Sequence, residues 1–104
     1  MSIQTKKQVL SLLTNHKQEL RAFGVTQCGV FGSFVRDSGI HAQSDVDILV
    51  AFEPEKKTFD NFMHLSFFLE DLFERAVDLI TVESLSPYIG AHILAEVEYV
   101  SVSG

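Results

Sequence analysis

A single cysteine, Cys28, and no tryptophan stand among the 104 residues. One cysteine cannot close an intramolecular disulfide, so the thiol content gives no sign of secretion. Cys28 also has no metal-ligand spacing to His16, His41, His64 or His92, and no two of those histidines have it with each other, which argues against zinc. Residues Met1 to Lys7 lack the apolar stretch of a signal peptide. No apolar run approaches the roughly 20 residues that span a bilayer. The expectation is a soluble, cytoplasmic protein with no membrane contact. Basic residues are scarce as well, 8 Lys and Arg against 14 Asp and Glu, for a net charge of −6. They are scattered as Lys6, Lys7, Lys17, Arg21, Arg36, Lys56, Lys57 and Arg75. Binding to long nucleic acid draws on clustered cations, so direct nucleic-acid binding is not expected. An acidic surface suits a basic protein partner or serves solubility. Gly-Lys-Ser/Thr is absent, which excludes a Walker A loop.

What is present is a core. Apolar residues make up 46% of the chain, and the length suits one domain, residues 1–104. Ile3, Val9, Leu10, Leu13 and Leu20 recur at helical spacing up to about Phe23, with a break near Thr14-Asn15 and Gly24 as terminator. Val25 to Phe31 reads as a strand ending at Gly32-Ser33. Phe34 to Ser44 reads as a polar loop that starts with a helical turn. Asp45 to Phe52 is a second strand, Thr58 to about Glu74 a helix with Thr58 as N-cap, and Ala76 to Thr81 a third strand. Ser86-Pro87 opens a last short helix to about Ala95. Glu96 to Ser101 reads as a tail or a short final strand. The order predicts a small α/β (α+β) domain, with helices packed on a three- to four-stranded mixed sheet.

Asp45 and Asp47 lie two apart on a predicted strand, so both carboxylates leave the same face. Carboxylates held that close repel unless a cation sits between them. Mg²⁺ takes hard oxygen ligands and usually binds one or two carboxylates plus substrate phosphates. Asp78 interrupts an apolar strand and points away from Val77 and Leu79. If its strand lies beside the first pair, three carboxylates converge, enough for two ions and an in-line displacement. Gly32-Ser33 at a strand end allows close backbone approach to a phosphate, with the serine hydroxyl as donor. Taken singly, each feature has an ordinary structural reading: a solvated turn, an edge-strand Asp, a plain Gly-Ser turn.

In order along the chain, Gly32-Ser33-Phe34-Val35-Arg36, Ser44-Asp45-Val46-Asp47-Ile48-Leu49-Val50 and Val77-Asp78-Leu79-Ile80 resemble the DNA polymerase β-type nucleotidyltransferase superfamily. Within it, the minimal nucleotidyltransferases are the most similar. The resemblance covers Val25 to about Val100. It implies a palm-like fold, two Mg²⁺ ions and ATP as substrate. It also implies roles by position. Gly32 and Ser33 grip the NTP phosphates, Asp45 and Asp47 ligate both metals, and Asp78 holds the catalytic metal and helps activate the attacking hydroxyl. Arg36 matches a basic residue that often follows the glycine-serine. It can meet phosphate or pair with Asp37 or another carboxylate. The loop from Ser33 to Asp45 runs about one residue longer than the commonest version, and Asp37 stands where Gly is frequent. His41 in this loop can approach the nucleotide or remain solvated.

Minimal nucleotidyltransferases are typically paired with a helical HEPN protein as antitoxin and toxin, and some transfer AMP to a tyrosine of the HEPN ribonuclease. The expected function is therefore Mg²⁺-dependent transfer of AMP from ATP to a protein hydroxyl. The alternative is a binding module that silences its partner without catalysis. Transfer to a small molecule is disfavoured because the chain has no room for the acceptor-binding domain of larger relatives. One reading of the stripe Phe59, Met63 and Phe67, outside the face formed by Phe62, Leu65, Phe68, Leu69, Leu72 and Phe73, is a docking surface for another protein. The N-terminal helix covering that stripe is the other reading. Oligomerisation is left open.

Overall fold

The computed structural model describes residues 3–36, 40 and 44–102. The elements follow as α1 (Lys6–Asn15), α2 (Lys17–Ala22), β1 (Val25–Phe31), α3 (Ser33–Arg36), β2 (Val46–Phe52), α4 (Phe59–Phe73), β3 (Val77–Thr81), α5 (Pro87–Glu96) and β4 (Glu98–Val100). Local chemistry accounts for most of the boundaries. Thr5 and Gln8 form a reciprocal capping box at the start of α1. Gly24, at φ +84°, turns the chain out of α2. Thr58 Oγ1 accepts from the Asn61 amide to cap α4. Ser86 does the same for α5 through Ile89, with Pro87 opening the helix.

The four strands form one mixed sheet in the order β3-β2-β1-β4. β1 runs antiparallel to both β2 and β4, and β2 runs parallel to β3. The residues at 98–100 are thus a true edge strand, paired from Cys28–Val100 to Val30–Glu98.

The two faces of the sheet differ. On one face Cys28 and Val30 of β1, Val46, Ile48 and Val50 of β2, and Leu79 of β3 join Val9 and Leu13 of α1, Leu20 of α2, Phe34 of α3, and Leu65, Leu69 and Phe73 of α4 in one continuous core. On the other, Phe31, Leu49 and Ile93 form a small cluster flanked by Ile80, Val82, Leu85 and Val97. Side-chain alternation puts Asp47 with Leu49, and Asp78 with Ile80, on this second, thinly covered face. In the α4 stripe, Phe59 and Phe67 are exposed and Met63 is half-buried, so the N-terminal helices do not cover it. Burial pushes the Cys28 thiol up to about 12, which leaves it an inert core group. Among the described residues, no helix is long and apolar enough to cross a membrane.

Candidate active site

Strand pairing brings the candidate residues together. Asp47 on β2 is the direct register partner of Asp78 on β3 and, across the other edge of β2, of Phe31 at the end of β1. The residue after Phe31 is Gly32. The Gly-Ser turn and two aspartates from separate parts of the chain therefore share one end of the sheet. Asp45 lies just before β2 and is exposed, as is Asp78, while Asp47 between them is half-buried.

Gly32 sits at φ +74°, where only glycine is at ease. Its lack of a side chain matters for a second reason, since a Cβ there would collide with Asp47 Oδ2. The turn is thus pressed against the carboxylate. The Gly32 carbonyl accepts from the amides of Val35 (3.2 Å) and Arg36 (3.3 Å), which starts α3 at Ser33.

The electrostatics follow from this crowding. Burial, then the Asp78 and Asp45 charges, push the Asp47 carboxyl up from its ordinary value of 3.8 to about 6. Arg36 works in the opposite sense, and Glu96 adds to the rise. A carboxyl in this position is short of positive charge.

Two residues of the site had no role in the sequence reading. Glu96, at the end of α5, accepts from the Gly32 amide through Oε1 at 2.9 Å and pairs with Arg36 Nη1 through Oε2 at 2.8 Å. Arg75, between α4 and β3, donates to the Ser44 carbonyl at 3.1 Å and to the Ile3 carbonyl at 2.7 Å. Its guanidinium also lies 5.1 Å from the centre of the buried Phe34 ring. Arg75 thereby ties the residue before Asp45 to the residue after Ser33. Of the choices open for Arg36, the structure has the ion pair with a carboxylate, and that carboxylate is Glu96. Asp37, His41 and most of the loop to Ser44 lie outside the described residues.

The donor set suits a hard cation: carboxylate oxygens, neighbouring strands, and a Gly32 turn that leaves no side chain in the way. Among the described residues no three acidic, histidine or cysteine side chains gather tightly enough to hold an ion by themselves. The pair Asp47 and Asp78, with Asp45 beside it, would need further oxygens, as a bound nucleotide supplies for Mg²⁺.

The profile of the nucleotidyltransferase domain matches residues 13–100. The chain belongs to this family. It is a nucleotidyltransferase of the minimal type, and a protein from Thermococcus cleftensis named protein adenylyltransferase MntA is 46% identical over 101 residues, 96% of this chain and 100% of that one. A minimal nucleotidyltransferase of known structure superposes with a TM-score of 0.70 at 29% identity, over 86% of this chain and 93% of the other. One chain of a structure of tri-AMPylated Shewanella oneidensis HEPN toxin in complex with MNT antitoxin shares the fold, with a TM-score of 0.62 and 19% identity over 91% of this chain and 72% of that one. The sequence led to an expectation of three or four strands in a mixed sheet, and the four-stranded mixed sheet is that of this fold.

Proposed function

We propose that this single nucleotidyltransferase domain transfers AMP from ATP to a hydroxyl of a partner protein, a HEPN-type toxin, and thereby acts as its antitoxin in the cytoplasm. The observation that carries the reading is the register of Asp47 against Asp78 beside the Gly32 turn. It sets two carboxylates beside a glycine turn at one end of the sheet. The name of the 46% identical relative supports AMP transfer to protein, and the AMPylated HEPN complex supports the acceptor class. A tyrosine hydroxyl is the acceptor we favour.

In this reading Gly32 and Ser33 grip the triphosphate, with Arg36 alongside. Asp45, Asp47 and Asp78 would hold two Mg²⁺ ions, which when bound supply charge neutralisation at the phosphates and acidify the acceptor hydroxyl. The acceptor oxygen attacks the α-phosphorus, the bond to the β-phosphate oxygen breaks, and pyrophosphate leaves. Asp78 takes the hydroxyl proton. The partner itself must place its hydroxyl in line with the leaving group. Exposed Phe59 and Phe67 on α4 offer it one apolar docking surface, and the net charge of −6 steers a basic partner.

The test is intact-mass spectrometry of the partner after incubation with this protein, ATP and Mg²⁺. One or more additions of AMP are expected, and none with Asp47→Asn. A partner silenced without change in mass, and silenced equally by Asp47→Asn, would establish the non-catalytic binding module instead.

A further inference from the structure

Glu96 stands out because one carboxylate reaches both parts of the proposed phosphate grip. Its Oε1 holds the Gly32 amide and its Oε2 the Arg36 guanidinium. These contacts join residues 64 and 60 positions apart in the chain, so they depend on where α5 ends. That end is fixed. Ile93 and Val97, on either side of Glu96, pack on Phe31 and Leu49, and the Val97 amide donates to the Ile93 carbonyl at 2.9 Å.

We infer that Glu96 is a positioning residue of the nucleotide site, bracing the Gly32 turn and the Arg36 guanidinium from α5 so that both meet the triphosphate in a fixed geometry. The inference rests on the nucleotidyltransferase reading above and adds a residue to it. Gly32 is held at both ends, its amide by Glu96 and its carbonyl by the first turn of α3. The direction in which Ser33 leaves the turn is set as a result. Glu96 takes the Gly32 amide and not the Ser33 hydroxyl, which stays available to a phosphate. Arg36 is more than half exposed, and a free arginine there would sample many rotamers. Pairing to Glu96 removes that freedom before the nucleotide arrives. A fourth carboxylate near three aspartates is unfavourable in itself, and its pair with Arg36 offsets the repulsion.

The experiment measures the Kd for ATP with Mg²⁺, together with KM and kcat for transfer, for wild type, Glu96→Ala, Glu96→Gln, Arg36→Ala and the Arg36→Ala/Glu96→Ala double variant. Glutamine keeps an acceptor for the Gly32 amide but loses the ion pair. We expect Kd and KM to rise about tenfold in Glu96→Ala and about threefold in Glu96→Gln. kcat should change little, and the double variant should bind about threefold more weakly than Arg36→Ala, the share of the effect that runs through the Gly32 amide. Thermal melts identify any variant that is not folded, and Glu96→Gln then decides. ATP bound by Glu96→Gln as tightly as by wild type, or more tightly, would overturn the positioning role, the second case meaning that the carboxylate competes with phosphate. A wild type that binds no ATP would overturn the underlying reading instead.

Discussion

Asp47→Asn should stabilise the metal-free protein, and by an amount that depends on pH. Asp47 titrates near 6 in the fold against 3.8 for an ordinary aspartate. The folded state therefore keeps a proton on Asp47 between about pH 4 and 6, where the unfolded chain has released it. Stability is highest below pH 4 with respect to this group, and is lost as pH rises through 6. At 1.36 kcal/mol per unit, the shift amounts to about 3 kcal/mol. Asp47 is only half-buried, and solvent screening brings the expected effect to about 1–2 kcal/mol. In a domain of this size that is a Tm difference of roughly 4–15 °C. The assay is a set of melting curves for wild type and Asp47→Asn in EDTA from pH 4 to 8. Other groups titrate in the same range, so the quantity to follow is the difference between the two proteins. It should be near zero at pH 4 and reach its plateau above pH 7. A difference that stays flat across this range, or favours wild type at pH 7, would refute the raised Asp47 carboxyl, and with it the account by burial and by crowding from Asp78 and Asp45.

Gly32→Ala places a Cβ against Asp47 Oδ2 at a positive φ, and should lower stability by about 1–3 kcal/mol while suppressing transfer; melting and single-turnover assays check both. Ser33→Ala should weaken ATP binding about tenfold or more, the worth of a hydrogen bond to a charged group, with an unchanged melting curve, as titration calorimetry and thermal melts would register. Phe34→Ala removes a fully buried ring from between Arg75 and the core, and should cost about 3–5 kcal/mol by denaturant titration.

Much of the fold is legible because local signals agree with tertiary need. Helix α4 carries its own cap in Thr58 and its own buried face in Leu65, Leu69 and Phe73. The alternation around Asp47 and Asp78 tells which way each carboxylate points, and the parallel register of β2 and β3 then sets them side by side. The three-residue strand β4 is less legible, since Glu98–Val100 is a strand only through its pairing with β1. Glu96 and Arg75 escape for a related reason. Nothing local marks either residue as part of the site. Their roles depend on where α5 ends and on where the turn after α4 meets Ser44 and Phe34. A sequence motif records groups that face the substrate. Residues that hold those groups from behind leave no spacing to read.

The unequal faces of the sheet explain how so short a chain tolerates like charges at one end. α1, α2, α3 and α4 all bury side chains on the face formed by Val46, Ile48 and Val50, and most of the apolar stabilisation resides there. Among the described residues, the opposite face has the small cluster around Phe31, Leu49 and Ile93, so little packing is lost when its open end is given to carboxylates. Strand alternation makes this division automatic. Along β2, Val46, Ile48 and Val50 face the main core, while Asp47 and Leu49 fall on the opposite face, Asp47 at its open end. Asp47 sits on a strand anchored on both sides of it by the fully buried Val46 and Ile48. Its repulsion with Asp78 cannot be relieved by backbone movement without disturbing the core. The strain persists until a cation or a proton arrives, and a site so constrained favours binding of positive charge over any rearrangement of its own.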